Sequence, residues 1–216
     1  MKRSFATKST LFETIELINS GRIAQAEAIC RAAVERNDQD VNMTALLGAT
    51  LFKGGQTAEA ERWLRYTMNL APNFAKPWSD LGQLLLESRR AQEAVEVLEE
   101  AVRLDAQDGE AWFNLGKARA VLGRGPAADE AFEKSFALDP ARKALALAAE
   151  HQHAGRWGEA EKLCREVLRG EPRNVNALRL LGTCAAHASA RPSGCCGGRW
   201  PRRRTTPKPS WISGAC

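Results

Sequence analysis

The chain has 216 residues, of which 44% are hydrophobic, and it carries a formal net charge of +5. Its longest uninterrupted apolar run, residues 144–149, is far too short to cross a bilayer, and Lys2-Arg3 is followed by polar residues rather than by the apolar core of a secretory signal. The composition therefore argues against a membrane-spanning or secreted protein, and we expect a cytoplasmic one.

The first predicted element follows a short basic lead, residues 1–9, which we expect to be flexible. Thr10 and Glu13 have the spacing of a capping box, which predicts that a helix begins at Thr10. Ala26 and Cys30 mark the apolar stripe of a partner helix. The sequence thus begins with a pair of helices.

The segment 75–108 contains a pattern that recurs every 34 residues. Trp78 and Leu81 share one face of a predicted first helix, and Ala94 lies on the apolar stripe of a second. Gly82 is expected to face Ala94, so that the two helices approach closely. The signature residues of successive repeats are Gly48; Trp78, Leu81, Gly82 and Ala94; Trp112, Leu115, Gly116 and Ala128; and the closing Pro140.

An aromatic residue, a Leu-Gly pair, a later alanine and a closing proline at this period are typical of tetratricopeptide arrays. The chain resembles that family from about residue 7 to about residue 186. The resemblance implies an all-α, right-handed solenoid of about five helix-turn-helix repeats plus one extra helix. The predicted repeats are 7–40, 41–74, 75–108, 109–142 and 141–174, with a partial repeat at 175–186.

The fifth repeat is predicted to begin without a connecting loop. Asp139 is placed to cap its first helix, and Pro140 is placed as the first helical residue. The sixth repeat is predicted to be a single helix. We expect Leu178 and Leu181 to pack on the fifth repeat and Leu180 to be uncovered.

The composition changes at His187, and residues 187–216 contain four prolines, four glycines, five arginines and one lysine but no acidic residue. We predict a disordered basic tail. The change falls in the middle of a repeat, which raises the hypothesis that the tail is the product of a frameshift. The arginines at 202–204, flanked by Trp200 and Trp211, suggest contact with RNA or an anionic membrane, but a solvated tail is the favoured interpretation, so neither partner is predicted.

No motif for catalysis, phosphate binding or metal binding is found in the sequence. His151 and His153 lie about 200° apart around a predicted helix and cannot hold one metal together. The set Cys184, His187, Cys195 and Cys196 lacks the CxxC spacing of zinc sites. We therefore predict no cofactor, no metal and no small-molecule substrate.

The resemblance implies a scaffold that binds a protein or peptide ligand in a concave groove. Carried over by position, residues 2, 5, 9, 12 and 13 of each repeat face that groove, with Ala45 and Ser79 at the fifth position. The main predicted groove residues are Asn42, Phe52 and Lys53; Lys76, Gln83, Leu86 and Glu87; Glu110, Phe113 and Lys117; and Gln152 and His153.

An alternative function comes from residues 160–186, which resemble repeats found ahead of a sulfotransferase domain in some bacterial proteins. On that interpretation the chain is the non-catalytic N-terminal region of a truncated sulfotransferase or other transferase. The chain as given is not predicted to be an enzyme.

Overall fold

The computed structural model describes the backbone of residues 2–189 and the side chains of residues 10–187. This part of the chain forms eleven α-helices and contains no strand, which confirms the expected all-α helical repeat fold. The helices are α1 Lys2–Asn19, α2 Ile23–Arg36, α3 Val41–Lys53, α4 Thr57–Leu70, α5 Ala75–Glu87, α6 Ala91–Leu104, α7 Gly109–Val121, α8 Gly125–Leu138, α9 Pro140–His153, α10 Trp157–Gly170 and α11 Val175–Ser189.

The chain divides into two compact units, Met1–Phe132 and Glu133–Cys216. In the first unit each helix packs on the next one along the chain as far as α7. The first helices of neighbouring repeats also contact one another, α1 with α3, α3 with α5 and α5 with α7. These four helices therefore form a continuous layer.

The predicted start of the first helix is wrong. Helix α1 begins at Lys2 rather than at Thr10, so Thr10 lies inside the helix and its backbone carbonyl accepts a hydrogen bond of 2.7 Å from Oγ1 of Thr14.

None of the helices in the described part of the chain is long and apolar enough to span a membrane.

The signature glycines lie where two helices of one repeat meet. A Cβ atom on Gly48 would lie 2.9 Å from the side chain of Leu64, and one on Gly116 would lie 2.7 Å from Phe132. These distances are shorter than real Cβ contacts, so only glycine fits without a shift of its neighbour. The pattern holds in the third repeat as well, with one correction, since the residue closest to Gly82 is Leu98 rather than the predicted Ala94.

The signature tryptophans are half-buried and also make a polar contact. The indole Nε1 of Trp78 donates a 3.0 Å hydrogen bond to the carbonyl of Pro72, and Trp112 makes the same bond to Ala106. Each tryptophan therefore ties the first helix of its repeat to the turn that precedes it.

The turn inside each repeat contains one residue with a positive φ angle at the same repeat position. Glycine occupies this position in four repeats, as at Gly55 and Gly123, but the third repeat has Arg89 with φ 60°. The left-handed conformation costs a residue with a Cβ atom more than it costs glycine. The third repeat therefore carries a strained turn.

In the second unit, α9, α10 and α11 pack around a small core of buried side chains. Asp139 caps α9 by accepting a hydrogen bond from the backbone nitrogen of Arg142, and Pro140 is the first helical residue, as the sequence predicts. Leu181 packs against this core as predicted, but the prediction is wrong for the other two leucines, because Leu180 is only 8% exposed whereas Leu178 is 49% exposed. The core residues are Ala148, Ala160, Cys164, Leu180 and Cys184.

Candidate peptide-binding groove

Three apolar side chains at predicted groove positions lie on successive helices of the first-helix layer. Phe52 on α3 and Leu86 on α5 are half-buried and pack against the core of the first unit. Phe113 on α7 is also half-buried, and its ring centroid lies 5.4 Å from that of Phe132 in an edge-to-face arrangement. Each side chain is supported by the core and keeps part of its surface accessible.

At the fifth position of the second and third repeats, the side chains are more buried than the sequence suggested. Ala45 and Ser79 are buried, so they contribute little surface to a ligand. The other predicted residues of this unit are more accessible: Asn42, Lys53, Lys76, Glu87, Glu110 and Lys117 are exposed, and Gln83 is intermediate.

An ion pair lies in the middle of the layer. Nζ of Lys76 is 2.9 Å from Oδ1 of Asp80, whose side chain is only 14% exposed. Burial raises the pKa of Asp80 above its ordinary range; Lys76 opposes this shift, and the negative charges of Glu110 and Asp108 add to it. Burial lowers the pKa of Lys76, but the carboxylates of Asp80, Glu110 and Asp108 together outweigh that effect, and the pKa is raised. Three carboxylates thus act on one ammonium group.

A second polar contact lies one repeat further along the chain. Nζ of Lys117 donates a 3.3 Å hydrogen bond to the side-chain oxygen of the buried Asn114, and it lies 5.7 Å from the centroid of the Phe113 ring. Asp80 and Asn114 were missed by positional transfer. The sequence contained a signal for them, because both stand at the sixth position of their repeats. The second repeat has the apolar Leu46 at that position, so the polar residues of the next two repeats depart from it.

A family model described as the tetratricopeptide repeat matches residues 15–69, 79–143 and 145–190. These segments cover most of the chain. The chain belongs to the tetratricopeptide repeat family. No curated protein sequence matches it significantly.

Solved structures of tetratricopeptide repeat proteins have the same fold. TTC0263 of Thermus thermophilus is 20% identical, with a TM-score of 0.69 over 83% of this chain and 98% of that one. The pilF protein of Pseudomonas aeruginosa is 22% identical, with a TM-score of 0.63 over 88% and 87%. YrrB, described as a tetratricopeptide repeat protein with an unusual peptide-binding site, is 19% identical, with a TM-score of 0.52 over 79% and 89%.

The two groove residues predicted in the fifth tetratricopeptide repeat lie in the second unit. His153 is exposed at the end of α9. The side-chain amide of Gln152 donates bonds of 2.7 Å to the carbonyl of Leu180 and 2.7 Å to Oγ1 of Thr183. Gln152 therefore joins α9 to α11, and its amide is already engaged.

The cysteines on the repeat helices belong to the packing. Burial raises the pKa of the Cys30 thiol to about 11, and burial also raises the pKa of Cys164, with a further contribution from Cys184. Buried thiols of this kind are poor nucleophiles because the thiolate is scarce at neutral pH. Cys195, Cys196 and the rest of the predicted tail beyond residue 189 lie outside the described residues.

Two residues of the set rejected as a metal site, Cys184 and His187, lie in the part of the chain whose side chains are described, and Cys184 is buried in the core of the second unit. The ring of His187 stacks on Trp157 at a centroid distance of 4.0 Å. Among the described residues, no group of three or more His, Cys, Asp or Glu side chains is arranged to hold a metal ion.

Proposed function

We propose that the protein is an interaction scaffold and that α3, α5 and α7 of the first unit bind an extended peptide or a helix from a partner protein. Tetratricopeptide repeat proteins are typically interaction scaffolds. The observation that carries the proposal is that Phe52, Leu86 and Phe113 are each half-buried and lie on three successive helices of one layer. Half-exposed apolar anchors on a rigid layer suit a ligand that supplies apolar side chains.

The charges of the layer suggest the polar character of the ligand. Asp80, Asp108 and Glu110 act together on Lys76, so this region has more negative than positive charge. Electrostatic complementarity favours a ligand with a basic residue beside its apolar anchors. YrrB, which has the same fold, is described as having a peptide-binding site, and this supports a peptide as the ligand.

The proposal is tested by selecting peptides from a random displayed library on the immobilised full-length protein. We expect the selected peptides to combine apolar and basic residues and to bind a Glu110→Lys variant about tenfold more weakly, which corresponds to about 1.4 kcal/mol. Glu96→Lys on α6 is the matched control, since it is the same charge reversal on an exposed residue of a second helix. If the selected peptides bind the Glu110→Lys variant as tightly as they bind the parent protein, the binding surface lies elsewhere.

A further inference from the structure

The glycine position of the sixth repeat differs from those of the second, third and fourth repeats. In those repeats the glycine is covered by a large apolar side chain of the following helix, as Gly48 is by Leu64. Gly182 occupies the same position in α11, and apart from its chain neighbours and the backbone of α11 itself, no described atom lies within 4 Å of where its Cβ atom would be. The described residues thus leave open a notch that elsewhere in the chain receives a Leu or Phe.

Three of the second helices, α4, α6 and α10, share a sequence pattern. It consists of an Arg or Gln, a Glu three residues later, an Ala next to that Glu, and an apolar residue four positions after the Ala. Helix α8, which follows Gly116, has Ala127 in place of the Glu. The pattern is carried by Gln56, Glu59, Ala60 and Leu64 at α4, by Arg90, Glu93, Ala94 and Leu98 at α6, and by Arg156, Glu159, Ala160 and Cys164 at α10.

The polar members of the pattern bind the preceding second helix. In α2, Glu27 pairs with Arg31 at 2.8 Å. The next repeat adds to both members of this pair, since Gln56 donates to Glu27 at 2.9 Å and Glu59 accepts from Arg31 at 2.8 Å. At this junction, the second helix of one repeat therefore binds a Glu-Arg pair on the second helix of the preceding repeat.

The same contact recurs one repeat later. In α4, Glu61 pairs with Arg65 at 2.8 Å, and Arg90 of the next repeat donates to Glu61 at 2.7 Å. Arg65 also lies 3.8 Å from Glu93 of that repeat. Two successive junctions thus use the same two residue positions.

Helix α10 presents the first half of this arrangement. Glu161 and Arg165 stand at the equivalent positions and pair at 2.7 Å. Within the range of side chains that the structure describes, neither has a partner from a following helix. The Arg165 side chain is 67% exposed, so it is accessible to one.

A cleft lies between α10 and α11. The cleft has a volume of about 580 Å³. Leu178 and Val175 are exposed large apolar residues of α11, and the whole of α11 contains no acidic residue. The lining residues include Arg156, Trp157, Glu161, Cys184 and His187.

We propose that α11 and the adjoining face of α10 form a docking surface for one helix of a partner protein. The partner helix carries Arg or Gln, Glu three residues later, Ala next, and Leu or Phe four residues after that Ala. Its Leu or Phe fills the notch at Gly182, its Glu meets Arg165, and its Arg or Gln donates to Glu161. This surface lies in the second unit and is independent of the groove proposed in the first.

A synthetic peptide of residues 89–105, which contains α6 and the complete pattern, is the probe for this surface. We expect it to bind the full-length protein in a fluorescence titration and to slow amide hydrogen exchange in α11. A Gly182→Leu variant fills the notch in the protein itself and should weaken binding about tenfold, since added volume at a packed contact is not accommodated. Gly170→Leu is the matched control, because Gly170 also has open surroundings but lies at the end of α10.

A charge exchange tests the polar contacts separately from folding. Glu161→Lys should weaken binding of the parent peptide, and a peptide in which Arg90 is replaced by Glu should recover most of the lost affinity. Recovery by a second change cannot be produced by a variant that simply unfolds.

Three results would overturn the proposal. One is a peptide that binds the Gly182→Leu variant as tightly as the parent protein. Another is peptide-dependent protection confined to the first unit. The third is that the full-length chain binds no peptide and that the amides of α11 are already protected from hydrogen exchange without it, which would mean that the surface is already covered. Sedimentation at several concentrations would then tell whether a second copy or residues 190–216 of the same chain cover the surface.

Discussion

A Cβ atom on Gly82 would lie 2.3 Å from Cγ of Leu98, the closest approach at any glycine in the described part of the chain. Both residues are buried, and the side chain of Leu98 occupies the space that a Cβ atom at position 82 would need. The contact sets how closely the two helices of the third repeat approach.

Replacing Gly82 by Ala should destabilise the protein by about 1 to 3 kcal/mol, because a core helix must shift to admit the methyl group. The matched change is Gly182→Ala, where the described surroundings are open. There the higher helix propensity of alanine should stabilise α11 by up to about 1 kcal/mol. Urea unfolding followed by circular dichroism checks both values, and equal losses would contradict the assigned contact.

Replacing Arg89 by Gly should stabilise the protein by about 0.5 to 1 kcal/mol, because relief of strain in the folded state outweighs the extra chain entropy of glycine in the unfolded state. Arg89 has φ 60°, and the equivalent residues in four other repeats are glycines with φ between 73° and 81°. Ser88→Gly is the control; with φ −81° it should gain nothing. Thermal unfolding that ranks the two variants the other way would refute this explanation.

The pair formed by Arg31 and Glu59 should make stability depend on pH in the acidic range. The hydrogen bond from Arg31 holds the pKa of Glu59 below its ordinary value. A depressed carboxylate pKa stabilises the fold above the unfolded-state value, about 4.3, and this contribution is lost as the pH falls through the folded-state pKa. Glu59→Gln should therefore cost at most about 1 kcal/mol at neutral pH, because the pair is partly exposed.

This difference should disappear in acid. Unfolding free energies of the parent protein and Glu59→Gln, measured from neutral pH down into the acidic range, are expected to converge at the acidic end. A difference that stays constant over the whole range would show that Glu59 acts through packing rather than through its charge.

Cys30 should resist alkylation in the folded protein. Its thiol is buried and its pKa is raised to about 11, so the thiolate is scarce in mildly alkaline buffer. Iodoacetamide labelling read by peptide mass spectrometry should be slow without denaturant and should accelerate as urea unfolds the first unit. Rapid labelling of Cys30 in the absence of urea would mean that α2 opens locally.

The choice between Leu178 and Leu180 shows where prediction from the sequence stops. Both leucines belong to α11, and residues two apart point about 200° away from each other around a helix. Leu181 lies between them around the helix axis, so the three leucines are compatible with a rotation that buries either Leu178 or Leu180. Contact with α9 and α10 selects the rotation that buries Leu180. The hydrogen bond from the side-chain amide of Gln152 on α9 to the carbonyl of Leu180 holds α11 in that rotation.

The candidate groove was also predicted from the sequence only in part. The sequence period alone placed Phe52, Leu86 and Phe113 on first helices, but the proximity of Lys76 and Asp80 to Glu110 and Asp108 depends on how α5 and α7 lie side by side. Such electrostatic contacts join residues about thirty positions apart and are not encoded in any local pattern.

The 34-residue period by itself determined the helix pairs and the glycines at their crossings, because each repeat contacts mainly its neighbours in sequence and so repeats the same residue types at the same places. Only the tertiary structure decided that Leu98 rather than Ala94 covers Gly82, that Trp78 bonds the carbonyl of Pro72, and which face of α11 is buried. The physical reason is that a helical stripe is wider than a single contact. The rotation of each helix within its stripe is set by the shape and hydrogen-bonding groups of the helices packed against it.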